Sequence, residues 1–81
     1  MNDQTSPVIH KGTAKLISFS DAMQEVINGN KITRLEWSNN DEYSLLKDGL
    51  LLIHTKGADH KWIVSEADMI AIDWCILPKV N

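Results

Sequence analysis

One stretch of the chain declares its period before any other. From Phe19 the large apolar residues and one alanine fall at Phe19, Ala22, Met23, Val26 and Ile27. That i, i+3, i+4, i+7, i+8 spacing is a single stripe on an α-helix. Ser18 stands where an N-cap is needed, and Asp21 follows at the capping-box position. Asn28 and Gly29 close the helix, because glycine takes the left-handed conformation of a helix end without a Cβ penalty. An amphipathic helix must bury its stripe against something. In a chain of 81 residues the partner is small, since a domain of this size hides only about 60–65 % of the surface its unfolded form exposes. The core is thin, and a homo-oligomer is the expected way to add to it.

The rest of the pattern is strand-like. Lys31–Trp37 alternates, with Thr33, Leu35 and Trp37 on one face and Ile32, Arg34 and Glu36 on the other. Ser38–Asp41 reads as a turn by composition. Glu42–Leu46 and Leu50–His54 flank Lys47-Asp48-Gly49 and read as a hairpin, since Asp-Gly supplies positive φ. Gly57-Ala58-Asp59 reads as a further turn before a strand at Lys61–Val64. Ser65-Glu66-Ala67-Asp68 is a second capping-box pattern and predicts a short helix over Glu66–Ala71. A last strand, Asp73–Leu77, stops at Pro78. Residues 1–14 have no apolar period and read as an N-terminal tail with a short edge strand around Val8–Ile9. Residues 15–81 read as one domain. The expected fold class is α+β: a small antiparallel sheet with one amphipathic helix and one short helix packed mainly on one face.

Composition narrows the function. The net charge is −3, and no block of five like charges occurs. A basic face of the kind that holds nucleic acid is not visible, so no nucleic-acid partner is expected. The apolar run Leu50–Ile53 is far too short to span a membrane. Cys75 is the only cysteine, which excludes an intrachain disulfide. Its neighbours Trp74, Ile76 and Leu77 make it a small packed hydrophobe. A lone thiol without a secretory leader points to a reducing cytoplasm. The three histidines, His10, His54 and His60, have no metal-ligand spacing. No P-loop, G-x-G-x-x-G or G-x-S-x-G is present. Ser44 and Cys75 have no partner that the sequence positions, and a histidine with Asp59 is no better marked. No metal, no cofactor and no enzyme is expected.

Three tryptophans remain, each with two readings. Trp37, Trp62 and Trp74 either fill a thin core or offer a flat face to a ligand, where base–aromatic stacking is worth about 1–3 kcal/mol. Trp74, framed by apolar residues, favours the core. Trp37 and Trp62 stay open, since polar residues flank each. Arg34 is either half of an exposed pair with Glu36, worth little, or a guanidinium fork for a phosphate or carboxylate. Asp68 reads first as the capping-box acid. Asp73 either pairs with Arg34 across strands or meets ribose hydroxyls, as acidic side chains do in nucleotide sites. Asn39 and Asn40 are turn formers whose amides could also read a ligand's polar edges.

Four pieces follow in order: Phe19-Ser20-Asp21-Ala22; Gly29 followed by Arg34-Leu35-Glu36-Trp37; Tyr43; and Trp62-Ile63-Val64-Ser65 leading into Asp68-Met69-Ile70-Ala71-Ile72-Asp73-Trp74. In these pieces, from Phe19 to Trp74, the chain resembles the Thoeris anti-defence two family of small phage and prophage proteins. The family commonly continues Trp-Asn-Gly, whereas Trp37 here is followed by Ser38-Asn39-Asn40. The resemblance implies a sponge that sequesters a cyclic nucleotide immune signal, a cyclic ADP-ribose isomer or a cyclic dinucleotide, without cleaving it. It implies a homo-oligomer, dimer or tetramer, working in the cytoplasm of an infected or lysogenic bacterial host. The ligand-binding set it suggests is Arg34, Trp37, Ser38, Asn39, Tyr43, Asp68, Asp73 and Trp74. Trp37 would stack on a base, Ser38–Asn40 and Asp73 would meet polar edges or ribose, and Arg34 or backbone N–H groups would meet the pyrophosphate. The alternative is an inhibitor that binds a bacterial immune effector or nuclease, in the manner of an anti-CRISPR protein; exposed residues of Leu50–Ile53 on a sheet edge would favour it.

Overall fold

The computed structural model describes residues 15–37 and 41–77. The apolar stripe forms α1, Phe19–Ile27, with Ala22 and Val26 buried. Ser18 is extended at its N-cap, and the Ser18 Oγ accepts from the Asp21 N–H at 3.2 Å. Asn28 is the C-cap, and Gly29 follows at φ 96°. Among the described residues five strands and a second helix accompany it: β1 Ile32–Arg34, β2 Tyr43–Lys47, β3 Leu50–Thr55, β4 Ala58–Lys61, α2 Glu66–Ile70 and β5 Trp74–Ile76. The sheet runs β4-β3-β2-β1-β5 and is antiparallel throughout. It is the expected α+β architecture. Among the described residues no helix is long and apolar enough to cross a membrane.

Two tight hairpins build one half of the sheet. Asp48 and Gly49 take φ of 52° and 78° between Lys47 and its partner Leu50. Positive φ at both central residues matches the twist of the flanking strands. Lys56 and Gly57 repeat the device at 54° and 80° between Thr55 and Ala58. That second turn corrects the expectation of one at Gly57-Ala58-Asp59 and a strand at Lys61–Val64. The strand begins at Ala58, because Lys56 itself enters the left-handed region and the loop needs only two residues. The other strand and helix bounds differ from expectation by at most one residue, except at β1. There the expected strand Lys31–Trp37 is cut to Ile32–Arg34, for a reason given below. The expected strand at Val8–Ile9 and most of the Ser38–Asp41 turn lie outside the described residues.

Cross-strand partners share a sheet face, so the register assigns the faces. Ile32, Ser44 and Ile53 form one row on the side covered by α1. The core there is Ala22, Val26, Ile32, Trp62 and Trp74, with Phe19, Met23, Trp37, Leu51, Ile53 and Val64 packed against it. Thr33 with Cys75, and Tyr43 with His54, look the other way. Few large side chains are wholly enclosed, as the length demanded. Ser44 sits in the covered row with 0 % exposure, and its Oγ has no hydrogen-bond partner among the described residues. An orphaned buried hydroxyl costs about 1–3 kcal/mol. Ser44→Ala removes the oxygen and keeps the Cβ, so it should raise stability by about 1 kcal/mol in urea titration. A lowered midpoint would mean that the hydroxyl is bonded in solution.

Candidate functional site

The site grows from the place where β1 stops. The Leu35 N–H donates to the Asp73 carbonyl at 3.0 Å, and the Trp37 N–H donates back to the Arg34 carbonyl at 3.1 Å. The second bond closes a turn over Arg34–Trp37, which ends the strand early. Asp73 fastens that turn. Its Oδ2 accepts the Glu36 N–H at 3.0 Å, and its Oδ1 accepts the Arg34 Nε–H at 2.8 Å. One carboxylate thus holds both the backbone and the side chain of the segment that carries Trp37.

Arg34 is only 7 % exposed. Beyond Asp73 its Nη1 reaches Asp68 Oδ1 and its Nη2 reaches Glu36 Oε1, both at 3.4 Å. The guanidinium lies over the Trp74 ring, 5.8 Å from the centroid, a cation–π distance. Burial alone lowers the pKa of Arg34. The Asp73 hydrogen bond and the charges of Asp73, Glu36 and Asp68 outweigh that and raise it. For Asp73, burial pushes the pKa up, while the Arg34 hydrogen bond, the Glu36 N–H and the Arg34 charge hold it below the usual aspartate range. The Arg34–Asp73 reading of the sequence is therefore the geometry found. The Arg34–Glu36 pair is the weaker contact, with Glu36 71 % exposed in its side chain.

Asp68 has three tasks. It completes the α2 capping box, accepting the Ser65 N–H at 3.2 Å while Ser65 Oγ accepts the Asp68 N–H at 3.1 Å. Its other carboxylate oxygen faces Arg34, and its carbonyl accepts the Trp74 Nε1–H at 3.0 Å. The indoles pack edge to face. Trp74 is 0 % exposed and Trp62 7 %. Trp37 is half-buried and meets Trp74 at 5.3 Å and Trp62 at 6.5 Å, nearly perpendicular to both. Phe19 closes the cluster against Trp62 and Trp74.

The fold brings five of the sequence-derived candidates together: Arg34, Trp37, Asp68, Asp73 and Trp74. Ser38 and Asn39 follow Trp37 directly in the chain and lie outside the described residues. Tyr43 goes elsewhere. It is next to Ser44 in β2, so it looks to the opposite sheet face, where it stacks on His54 at 4.7 Å and lies under the Lys31 ammonium. His54 Nδ1 is 2.6 Å from Asp59 Oδ1, so the His–Asp contact exists, but Ser44 lies on the other side of the sheet from it. Sequence reasoning missed the role of the Glu36 backbone N–H and the exposure of apolar residues that flank Arg34 and Asp73 in the chain. Ile70 and Ile72 are 80 % and 78 % exposed beside Asp73, and Leu35 is 42 % exposed.

The Thoeris anti-defense 2-like domain matches residues 17–77. The chain belongs to that family. The match runs from Ile17, whose backbone pairs with Trp74 along the outer edge of β5, to Leu77 just past β5. It therefore takes in every element of this Thoeris anti-defense 2-like fold, the Arg34–Asp73 clamp and all three indoles included. Family membership implies a part in countering the Thoeris defence. No curated protein matches the chain.

Proposed function

We propose that this protein sequesters a small cyclic nucleotide signal, a cyclic ADP-ribose isomer or a cyclic dinucleotide, and returns it chemically unchanged. It silences antiviral defence in the host cytoplasm by removing the signal, with no turnover, and it works as a homo-oligomer. The observation that supports this best is Trp37. It is half-buried at the end of a turn that Asp73 fastens at two points, and it leans on two buried indoles. A ring held this way loses little freedom when a base stacks on it, and preorganisation of that kind favours tight capture. Arg34 and Asp73 take a positioning role in this account. One guanidinium among three carboxylates leaves an acidic cluster that has little to offer a pyrophosphate. The exposed Ile70 and Ile72 beside the site favour an assembly that covers them.

Trp37→Ala tests the reading. Calorimetric titration with the captured nucleotide should show binding weaker by about 10- to 100-fold, the loss of one base–aromatic stack, while the oligomer persists. Unchanged affinity would remove Trp37 from the site. A second reading, an inhibitor of a protein effector, draws on the same isoleucines. Its sequence-based sign is not where it was expected, because β3 is an inner strand and Leu51–Ile53 are half-buried. It would prevail if the protein captured an effector and no nucleotide.

A further inference from the structure

Among the described residues no strand pairs with the outer side of β4. It is the terminal strand of the sheet, and Ala58, Asp59, His60 and Lys61 are all exposed. Ladder geometry says which backbone groups that edge offers. Thr55 and Ala58 flank a two-residue turn, His60 lies opposite Ile53, and the Trp62 N–H donates to the Leu51 carbonyl at 3.1 Å. Hydrogen-bonded and non-bonded pairs alternate along an antiparallel ladder. Ala58, His60 and Trp62 therefore turn their N–H and C=O groups toward β3. Asp59 and Lys61 turn theirs toward solvent.

We propose that this edge pairs with β4 of a second copy of the chain, about a two-fold axis at His60. In that register Asp59 lies opposite Lys61 of the second copy, and the symmetry repeats the pair on the other side of the axis. These are the residues whose backbone groups face outward, so each pair exchanges both of its ladder hydrogen bonds. The side chains agree with the backbone. Asp59 and Lys61 are two apart and project from one sheet face, so carboxylate meets ammonium directly across the new ladder. Edges guarded against pairing commonly set like charges, lysine above all, against an incoming strand. Here the two-fold sets opposite charges against each other instead. One step further out, Ile63 is 83 % exposed and comes opposite Gly57 of the second copy. Apart from its chain neighbours, none of the described residues lies within 4 Å of where a Cβ on Gly57 would stand, so a bulky side chain has room there. The inference gives the proposed homo-oligomer a contact surface. It rests on that oligomer and not on the nucleotide.

Light scattering on the eluting full chain tests it. Asp59→Lys sets lysine against lysine, and Lys61→Asp sets aspartate against aspartate. Each variant alone should have an assembly mass about twofold below wild type. An equimolar mixture sets lysine against aspartate in both pairs and should regain the wild-type mass. Circular dichroism melts check folding. Asp59→Lys also loses the His54 contact, so if it unfolds, Lys61→Asp carries the test alone, with its mass rising as added salt screens the repulsion. Variants that keep the wild-type mass, or folded variants whose mixture stays dissociated, overturn the edge while leaving the oligomer. A wild type that is a single chain overturns both, including the case in which the edge serves an extended peptide of another protein.

Discussion

Asp73→Ala should cost about 3–5 kcal/mol of folding free energy, the usual consequence of stripping one partner from a buried ion pair. Arg34 would remain almost wholly enclosed, at 7 % exposure, without its closest counter-charge. The Glu36 N–H would lose its acceptor as well. A domain with so thin a core has only a few kcal/mol to spare, so urea titration should find the variant unfolded or nearly so at room temperature. Asp73→Asn keeps an acceptor and loses the charge, and should fall between the two. A loss below about 1 kcal/mol, the worth of an exposed pair, would mean that water replaces the carboxylate. Acid titration gives the same contact a second readout. Because the folded Asp73 is held below its ordinary range, its stabilisation is complete above the ordinary aspartate pKa of about 4. That stabilisation is lost as the pH falls through the lower folded value. Wild type should therefore lose stability on acidification more steeply than Asp73→Asn does.

Trp74→Ala should be at least as damaging, at about 3–5 kcal/mol for a large buried aromatic cut to alanine. Trp74 has no exposed surface, touches the rings of Phe19, Trp37 and Trp62, and underlies the Arg34 guanidinium. Its Nε1–H also holds the α2 backbone through the Asp68 carbonyl. The alanine variant leaves a void between sheet and helices that a small fold has little mass to fill. Near-ultraviolet circular dichroism should lose its aromatic bands. Trp74→Phe should retain a cooperative melt at a lower midpoint, since it gives up that bond and part of the ring area. A Trp74→Ala protein that melts cooperatively near the wild-type midpoint would contradict the packing described here.

The helices were legible because their signals are local. The α1 stripe and the Ser65-x-x-Asp68 box each act within a few residues, and both formed where their residues sit. The Asp48-Gly49 hairpin was legible for the same reason. What the sequence concealed was set by contacts far along the chain. β1 ends at Arg34 because Asp73, thirty-nine residues later, captures the guanidinium and the Glu36 N–H. Alternation through Trp37 gave no hint of that. Lys56 fell between the expected strand and the expected turn, and its positive φ follows from hairpin closure with Gly57. At the candidate site, the Asp73–Arg34 pairing was one of two readings of the same residues, and burial decided for it. Tyr43 was grouped with the others through family likeness alone. The pleat sends it to the opposite face, because one residue of offset from Ser44 reverses the direction of a strand side chain.

The central claim is that a cyclic nucleotide is captured and given back intact. The direct measurement is to mix the protein with a panel of cyclic ADP-ribose isomers and cyclic dinucleotides and remove what is unbound. The complex is then denatured by heat, and the released molecule is analysed by mass spectrometry and chromatography. The account predicts one compound released with mass and retention unchanged, recovered from wild type and largely lost from Trp37→Ala. Release of an altered product, or retention of no nucleotide from the panel, would contradict it.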